Sequence, residues 1–154
     1  MENKNNTADR ELRISRTLNA PVELVWEVWT QPEHIANWWG PHGFTNTISK
    51  MDVVAGGDWE LVMHGPDGRD YKNKSTFKEV IPMKKLVYEH DSYPPFVATI
   101  QFEEHGDQTH IDWHMLFDTA EIFQNVVKTF GADKGQRENV EKLAAYLEAQ
   151  KESK

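Results

Sequence analysis

Ala20-Pro-Val-Glu-Leu-Val-Trp-Glu-Val-Trp-Thr-Gln-Pro-Glu-His-Ile-Ala-Asn-Trp-Trp-Gly-Pro41 encodes two short helices and holds four of the six tryptophans in a chain of 154 residues. Pro21 stands where a first helical residue tolerates the loss of its N–H, and Val22, Val25, Trp26 and Trp29 recur at i, i+3, i+4 and i+7. That spacing predicts a helix of about two to three turns. Thr30 and Glu33 have the spacing of a capping box, with Pro32 tolerated in the first turn between them. A second short helix is therefore predicted, ending near Asn37 ahead of Gly40-Pro41.

Outward from this stretch the pattern changes period. Upstream, Glu11 to Leu18 alternates polar and apolar residues and predicts a first strand. Downstream, Gly56-Gly57, Pro66-Asp67-Gly68, Pro82-Met83, Pro94-Pro95 and Gly106-Asp107 punctuate six further strands. These are predicted over Phe44–Val54, Asp58–His64, Tyr71–Ile81, Leu86–Asp91, Phe96–Glu104 and Thr109–Phe117. Trp59, Leu61 and Met63 share one face of their strand, as do Phe96, Ala98, Ile100 and Phe102, and Ile111, Trp113, Met115 and Phe117. Such a sheet has one wet face and one that needs a cover. The cover is predicted at the C-terminus, where Val140, Leu143, Ala144 and Leu147 make an apolar stripe and Glu138 with Lys142 an outward ion pair. This helix is expected from about Asp133 to Gln150, preceded by a helical segment over Thr119 to Lys128 capped by Asp118 with Glu121 and broken near Gly131 or Gly135. The two segments could form one kinked helix. Strand, two helices, six strands and a long helix is an α+β order.

The length is that of one domain, expected over 10–150, with polar tails at 1–9 and 151–154. A net charge of -8 argues against nucleic acid or an anionic membrane as partner, although Lys72, Lys74, Lys78, Lys84 and Lys85 could form a local basic patch. There is no cysteine, hence no disulfide, thiolate ligand or thiol nucleophile. The N-terminus has no apolar run of the signal-peptide kind, and no stretch approaches the roughly 18 apolar residues of a membrane helix, so a soluble, cytoplasmic protein is expected.

Several strings, in this order, resemble the helix-grip fold of the START-related, birch-pollen-allergen-like superfamily (SRPBCC). They are Ala20-Pro21-Val22 with Val25-Trp26, Trp29, Pro32-Glu33 and Trp38-Trp39-Gly40-Pro41; Gly56-Gly57-Asp58-Trp59 with Met63; Pro66-Asp67-Gly68 with Tyr71; and Leu143 with Tyr146-Leu147. Within that superfamily they are most similar to the family of the C-terminal domain of the activator of the ninety-kilodalton heat-shock protein ATPase, over about Arg10 to Gln150. The resemblance implies a curved antiparallel sheet wrapped around the long C-terminal helix and enclosing a cavity. It brings no shared catalytic set. One departure is Gln136 after Gly135, where relatives often carry a tryptophan that would wall the cavity.

Candidate chemistry is thin. His110 and His114 have helix-type metal spacing, but on a strand four residues span roughly 13 Å, too far for two nitrogens each about 2 Å from one ion. His110, Asp112 and His114 are expected on the wet face instead, and His34, His42, His64 and His105 beside turns or helix ends as solvated side chains. His90 differs: alternation places it inward with Tyr88, either as a core histidine satisfied by backbone or water or as a ligand-binding or proton-transfer group. Glu103-Glu104 and Asp67 belong to turns, Gly56-Gly57 is a bulge or tight turn, and neither a nucleophile elbow nor a phosphate-binding loop is present.

Aromatic residues are the remaining signal, since such groups line apolar ligand sites. The expected cavity, about a few hundred Å3, is lined by Trp29, Trp38, Trp39, Trp59, Met63, Phe77, Phe96, Phe102, Trp113, Val140 and Leu143, with Asn73, Ser75, Tyr88 and His90 as polar anchors. For any one of these residues alone, a packed core is the favoured reading. The first functional expectation is a non-enzymatic binder of a small apolar or amphipathic molecule, with no cofactor and no metal. The alternatives are an enzyme of hydrolase, cyclase or dehydratase type using His90 or Tyr88 in the same cavity, and a chaperone-binding module. A homodimer through an exposed Trp38-Trp39 patch is a further expectation.

Overall fold

A computed structural model describes residues 8–152; of the predicted polar tails over 1–9 and 151–154, residues 1–7 and 153–154 lie outside the described residues, and 151–152 belong to the last helix instead. Where the tail was expected to continue, Ala8–Arg10 forms one turn of 3-10 helix. The chain then runs β1 (Glu11–Leu18), α1 (Val22–Thr30), α2 (Pro32–Trp38), β2 (Thr45–Met51), β3 (Asp58–His64), β4 (Asp70–Ile81), β5 (Lys85–His90), β6 (Phe96–His105), β7 (Gln108–Phe117), α3 (Ala120–Phe130) and α4 (Ala132–Glu152). All seven strands form one antiparallel sheet in the order β1-β7-β6-β5-β4-β3-β2, so the first strand pairs with the last. The order and the curved sheet are those of a helix-grip α+β fold.

The register explains how the inner face is built. Trp59, Ser75, His90, Phe96 and Phe117 pair successively across β3 to β7 and form one row. A second row carries Phe77, Tyr88, Ala98 and Met115, and a third Leu86, Ile100, Trp113 and Ile14. These residues alternate with outward polar ones, so helices on one side bury the set, Ile14 and Met115 only partly. On the wet face β1 pairs with the histidine strand: His110 meets Thr17, Asp112 accepts from Ser15, and His114 faces Glu11 at 2.7 Å.

Three local expectations are corrected, and the choice between Gly131 and Gly135 is decided. Thr30 does not open a capping box; it ends α1, where its hydroxyl donates to the Trp26 carbonyl, and the break falls at extended Gln31. Pro32 is the cause, because its ring disfavours helical backbone at the preceding residue. The cap of α3 is Thr119, whose hydroxyl accepts from the Ile122 N–H, and not Asp118. The chain separates α3 from α4 at Gly131, whose φ of 64 degrees is left-handed and costs little only for glycine; Gly135 lies inside α4. Lys142 makes no outward pair with Glu138. Its ammonium reaches carbonyls of Trp39 (3.5 Å), Pro41 (3.1 Å) and Phe44 (3.4 Å), while Glu138 faces Lys134 and accepts from the His42 N–H.

Candidate functional site

The helices position the tryptophans over the inner sheet face. Val22, Leu24, Val25, Val28 and Trp29 are buried in α1, a wider apolar surface than one stripe, and Trp26 is only partly buried. Thr109 fixes the entry to α1, its hydroxyl donating to the Ala20 carbonyl at 2.8 Å. From α4, Asn139 donates to the Trp38 carbonyl at 2.9 Å and Gln136 to the Trp113 carbonyl at 3.2 Å. The Trp38 indole N–H donates to the Val28 carbonyl at 3.0 Å. Each bond joins two elements and gives a buried carbonyl a side-chain donor.

Trp38 is 0% and Trp39 8% exposed, so the two do not form the exposed dimerisation patch anticipated for them. Trp39 instead sits at the middle of a ring cluster. Its centroid lies 5.9 Å from Trp29, 5.5 Å from Trp38, 4.9 Å from Trp59 and 5.6 Å from Trp113. Trp59 extends the cluster by stacking on Phe77 at 5.8 Å and meeting Tyr88 edge-on at 5.2 Å. Phe102 packs on Trp29 at 6.0 Å, and Phe96 bridges Tyr88, His90 and Phe117. Val140 and Leu143 are buried beneath, and Met63 is partly buried with its methyl beside Gly40.

A polar corner adjoins these rings. His90 stacks on Phe96 at 4.7 Å; its Nδ1–H donates to the Pro94 carbonyl at 2.7 Å, and Nε2 faces the Asn73 side-chain amide at 2.7 Å. Burial pushes the imidazole pKa below its ordinary value, and the Pro94 carbonyl, the Asp91 carboxylate and the Ser92 backbone pull against that. Ser75 is buried between Trp59 and His90 in the register row, and burial drives the Tyr88 phenol well above its usual range, so it stays protonated. The inward placement of Tyr88 and His90 follows the alternation in β5.

The fifteen residues singled out in the sequence thus come together in one region between sheet and helices, and the rings fill it against one another. Two concavities among the described residues lie elsewhere. One, of about 780 Å3, runs past Val22, Ile81, Met83, Lys85 and Phe102, and the other, of about 340 Å3, lies between β1 and α4. Only Phe102 among the fifteen borders either.

Sequence reading missed the inward bonds of Gln136, Asn139 and Lys142. The first two fall at i and i+3 ahead of Val140 and Leu143, a polar extension of the same helical stripe that was legible in the spacing. It also missed that His34 is not freely solvated: its Nε2–H donates to the Glu27 carboxylate at 2.9 Å and its Nδ1 accepts from the Tyr146 hydroxyl at 2.6 Å, joining α1, α2 and α4. Among the described residues no cluster of His, Asp and Glu has metal-binding geometry, and no helix is long and apolar enough to cross a membrane.

Seven antiparallel strands, two helices after the first strand and a long final helix against the inner face define a helix-grip, START-like fold. The chain belongs to the family of Activator of Hsp90 ATPase homolog 1-like proteins, whose sequence model matches residues 19–148. Among solved structures it is similar to a Nitrosomonas europaea protein, with a TM-score of 0.83 and 25% identity over 94% of this chain and 97% of the other. An Arthrobacter aurescens protein matches with a TM-score of 0.86 and 23% identity over 95% and 90%. An AHSA1-like protein from Aeromonas hydrophila gives 0.72 and 23% over 90% and 94%; at these identities the likeness is one of fold. Among curated proteins none matches the sequence.

Proposed function

We propose that the protein binds a small apolar or amphipathic molecule between the sheet and the helices. The observation that carries this reading is the polar corner of Asn73, Ser75, Tyr88 and His90 set against an aromatic wall. A core that only has to pack gains nothing from a phenol, a hydroxyl and an imidazole, each costly to bury. Few polar groups converging on a large apolar surface is the composition of a ligand site. The ring contacts around Trp39 mean that a ligand enters by displacing side chains.

Native mass spectrometry of the protein as purified, followed by thermal shifts with a panel of apolar and amphipathic molecules, tests the reading. A ligand at about 100 times its Kd stabilises the native state by about 2.7 kcal/mol, or about 5–10 °C in a domain of this size. Tyr88→Phe, which keeps the ring and removes the hydroxyl, is expected to weaken amphipathic ligands while leaving purely apolar ones unchanged. No retained mass and no shift across the panel would overturn the proposal.

A further inference from the structure

His64, expected from the sequence as a solvated side chain beside a turn, has partners on both ring nitrogens. Nδ1 faces the Asp70 carboxylate at 2.7 Å and Nε2 the Thr47 hydroxyl at 2.8 Å. The hairpin of β3 and β4 places Asp70 directly across from His64. The register of β2 places Thr45 across from His64 on its other side and Thr47 diagonal to it. Because Trp59, Leu61 and Met63 turn inward from β3, His64 and its two partners stand on the wet face, Thr47 and Asp70 exposed.

A carboxylate has no hydrogen to give, so Nδ1 carries the N–H and donates to Asp70. The Nε2 of the neutral ring is then an acceptor, and the Thr47 hydroxyl donates to it. Hydroxyl, imidazole and carboxylate in this order form the arrangement in which an alcohol loses its proton as it attacks an acyl carbon. Among the histidines of the described residues only His34 shares the order, with Tyr146 and Glu27, and there burial raises the pKa of the phenol, which keeps its proton. Beside the hydroxyl stands a cation. Thr47, Val62 and Lys72 pair successively across β2, β3 and β4, and Lys72 is exposed without a carboxylate partner among the described residues, whereas Lys50, Lys78 and Lys85 are each ion-paired. Neither of the two concavities borders these residues, so a reactant meets them on an open face and is small.

We propose that Thr47 is an acyl-acceptor site that takes a small acyl group from an anionic acyl phosphate, with His64 as its base and Asp70 as the residue that positions the base. The site lies on the face of the sheet opposite the aromatic interior and does not depend on that interior holding a ligand. As Thr47 Oγ bonds to the acyl carbon, its proton passes to His64 Nε2. The bond from that carbon to the phosphate oxygen breaks, and His64 returns the proton to the departing phosphate. The products are an O-acyl ester on Thr47 and inorganic phosphate, with no further reactant. Lys72 sets the choice of donor, since its unpaired ammonium in the row of Thr47 attracts the charge that an acyl phosphate carries and a neutral ester lacks.

The test incubates the full chain with acetyl phosphate and, separately, with neutral p-nitrophenyl acetate. The added acetyl mass is mapped by peptide mass spectrometry before and after hydroxylamine, which cleaves esters and leaves lysine amides intact. A hydroxylamine-labile acetyl group on Thr47 is the expected result. His64→Gln should slow its formation about 100-fold and Asp70→Asn about tenfold or more, while Thr47→Ser retains it. Thr47→Val keeps a β-branched residue in the strand and should lose the label. Lys72→Gln should slow the reaction with acetyl phosphate and leave that with p-nitrophenyl acetate unchanged. Acetyl groups confined to lysine amides, or a Thr47 ester formed as fast in His64→Gln as in wild type, overturn the proposal. A Lys72→Gln variant that treats the two donors as wild type does overturns the assignment of an anionic donor. Should a variant not fold, the wild-type map decides alone whether Thr47 is the acceptor.

Discussion

Thr109 offers the cleanest test of how the tryptophan helices are held on the sheet. It is fully buried at the start of β7, and its hydroxyl donates to the Ala20 carbonyl at 2.8 Å across 89 residues of sequence. Ala20 is fully buried as well, and its carbonyl lies just before α1 begins. Thr109→Val keeps the shape and removes the donor, so no cavity opens and the Ala20 carbonyl is left without a partner. A buried unpaired group costs about 1–3 kcal/mol, partly offset by the added methyl, which places the net loss at about 2 kcal/mol. For a chain of this length that lowers Tm by about 4–8 °C. Thr109→Ser keeps the hydroxyl and loses only a methyl, about 1 kcal/mol. Urea unfolding followed by tryptophan fluorescence should then rank wild type above Ser above Val, with the midpoint shifting at constant slope. A valine variant as stable as wild type, or a serine variant below the valine one, would refute the reasoning that this bond anchors α1.

Three further outcomes follow from the same structure. Burial holds the folded His90 pKa below the 6.5 of the free side chain, so the unfolded chain takes up the proton first; wild type should lose stability relative to His90→Gln as pH falls through 6.5 toward the folded value, and parallel pH–stability curves for the two would rule this out. His34→Ala and Tyr146→Phe each break the link between α1, α2 and α4; each should cost about 1 kcal/mol, and their double mutant less than the sum by about 0.5 kcal/mol or more in chemical denaturation, whereas strict additivity would mean the 2.6 Å contact carries no energy. Asn139→Ala leaves the Trp38 carbonyl unpaired at the end of α2 and should cost about 1–3 kcal/mol, with the Trp39 indole signal the most displaced in an NMR spectrum; an unmoved signal would detach Asn139 from the loop it is assigned to hold.

The sheet was legible in the sequence because its signal is local: period-two alternation in Trp59 to Met63, Phe96 to Phe102 and Ile111 to Phe117 needs no knowledge of a partner strand. The inward pair Tyr88 and His90 came from the same rule. Caps failed for a physical reason, since Thr30 with Glu33 and Asp118 with Glu121 satisfy the spacing of a cap as well as the residues that do cap. What decided between them was the backbone bias imposed by Pro32 and a hydroxyl bond from Thr119. Lys142 was misread because its partners, the carbonyls of Trp39, Pro41 and Phe44, come from a loop about a hundred residues away, and a helical i, i+4 rule offered Glu138 instead. The gathering of fifteen residues in one region followed from alternation and the helical stripe, but that Trp39 would lie at the centre of the ring cluster is a matter of how one side chain turns from the end of α2, which no periodicity encodes.

The pairing of β1 with β7 also has a consequence for how the chain is made. Leu18 finds Thr109, and Glu11 finds Leu116, only after every other strand has been synthesised. On the ribosome the four tryptophans of α1, α2 and the residue after them therefore emerge long before the surface that covers them. Contacts this distant slow folding and leave apolar groups exposed in the interval. The stretch from Ala20 to Pro41 that organises the finished interior is then the part of the nascent protein most in need of protection from aggregation.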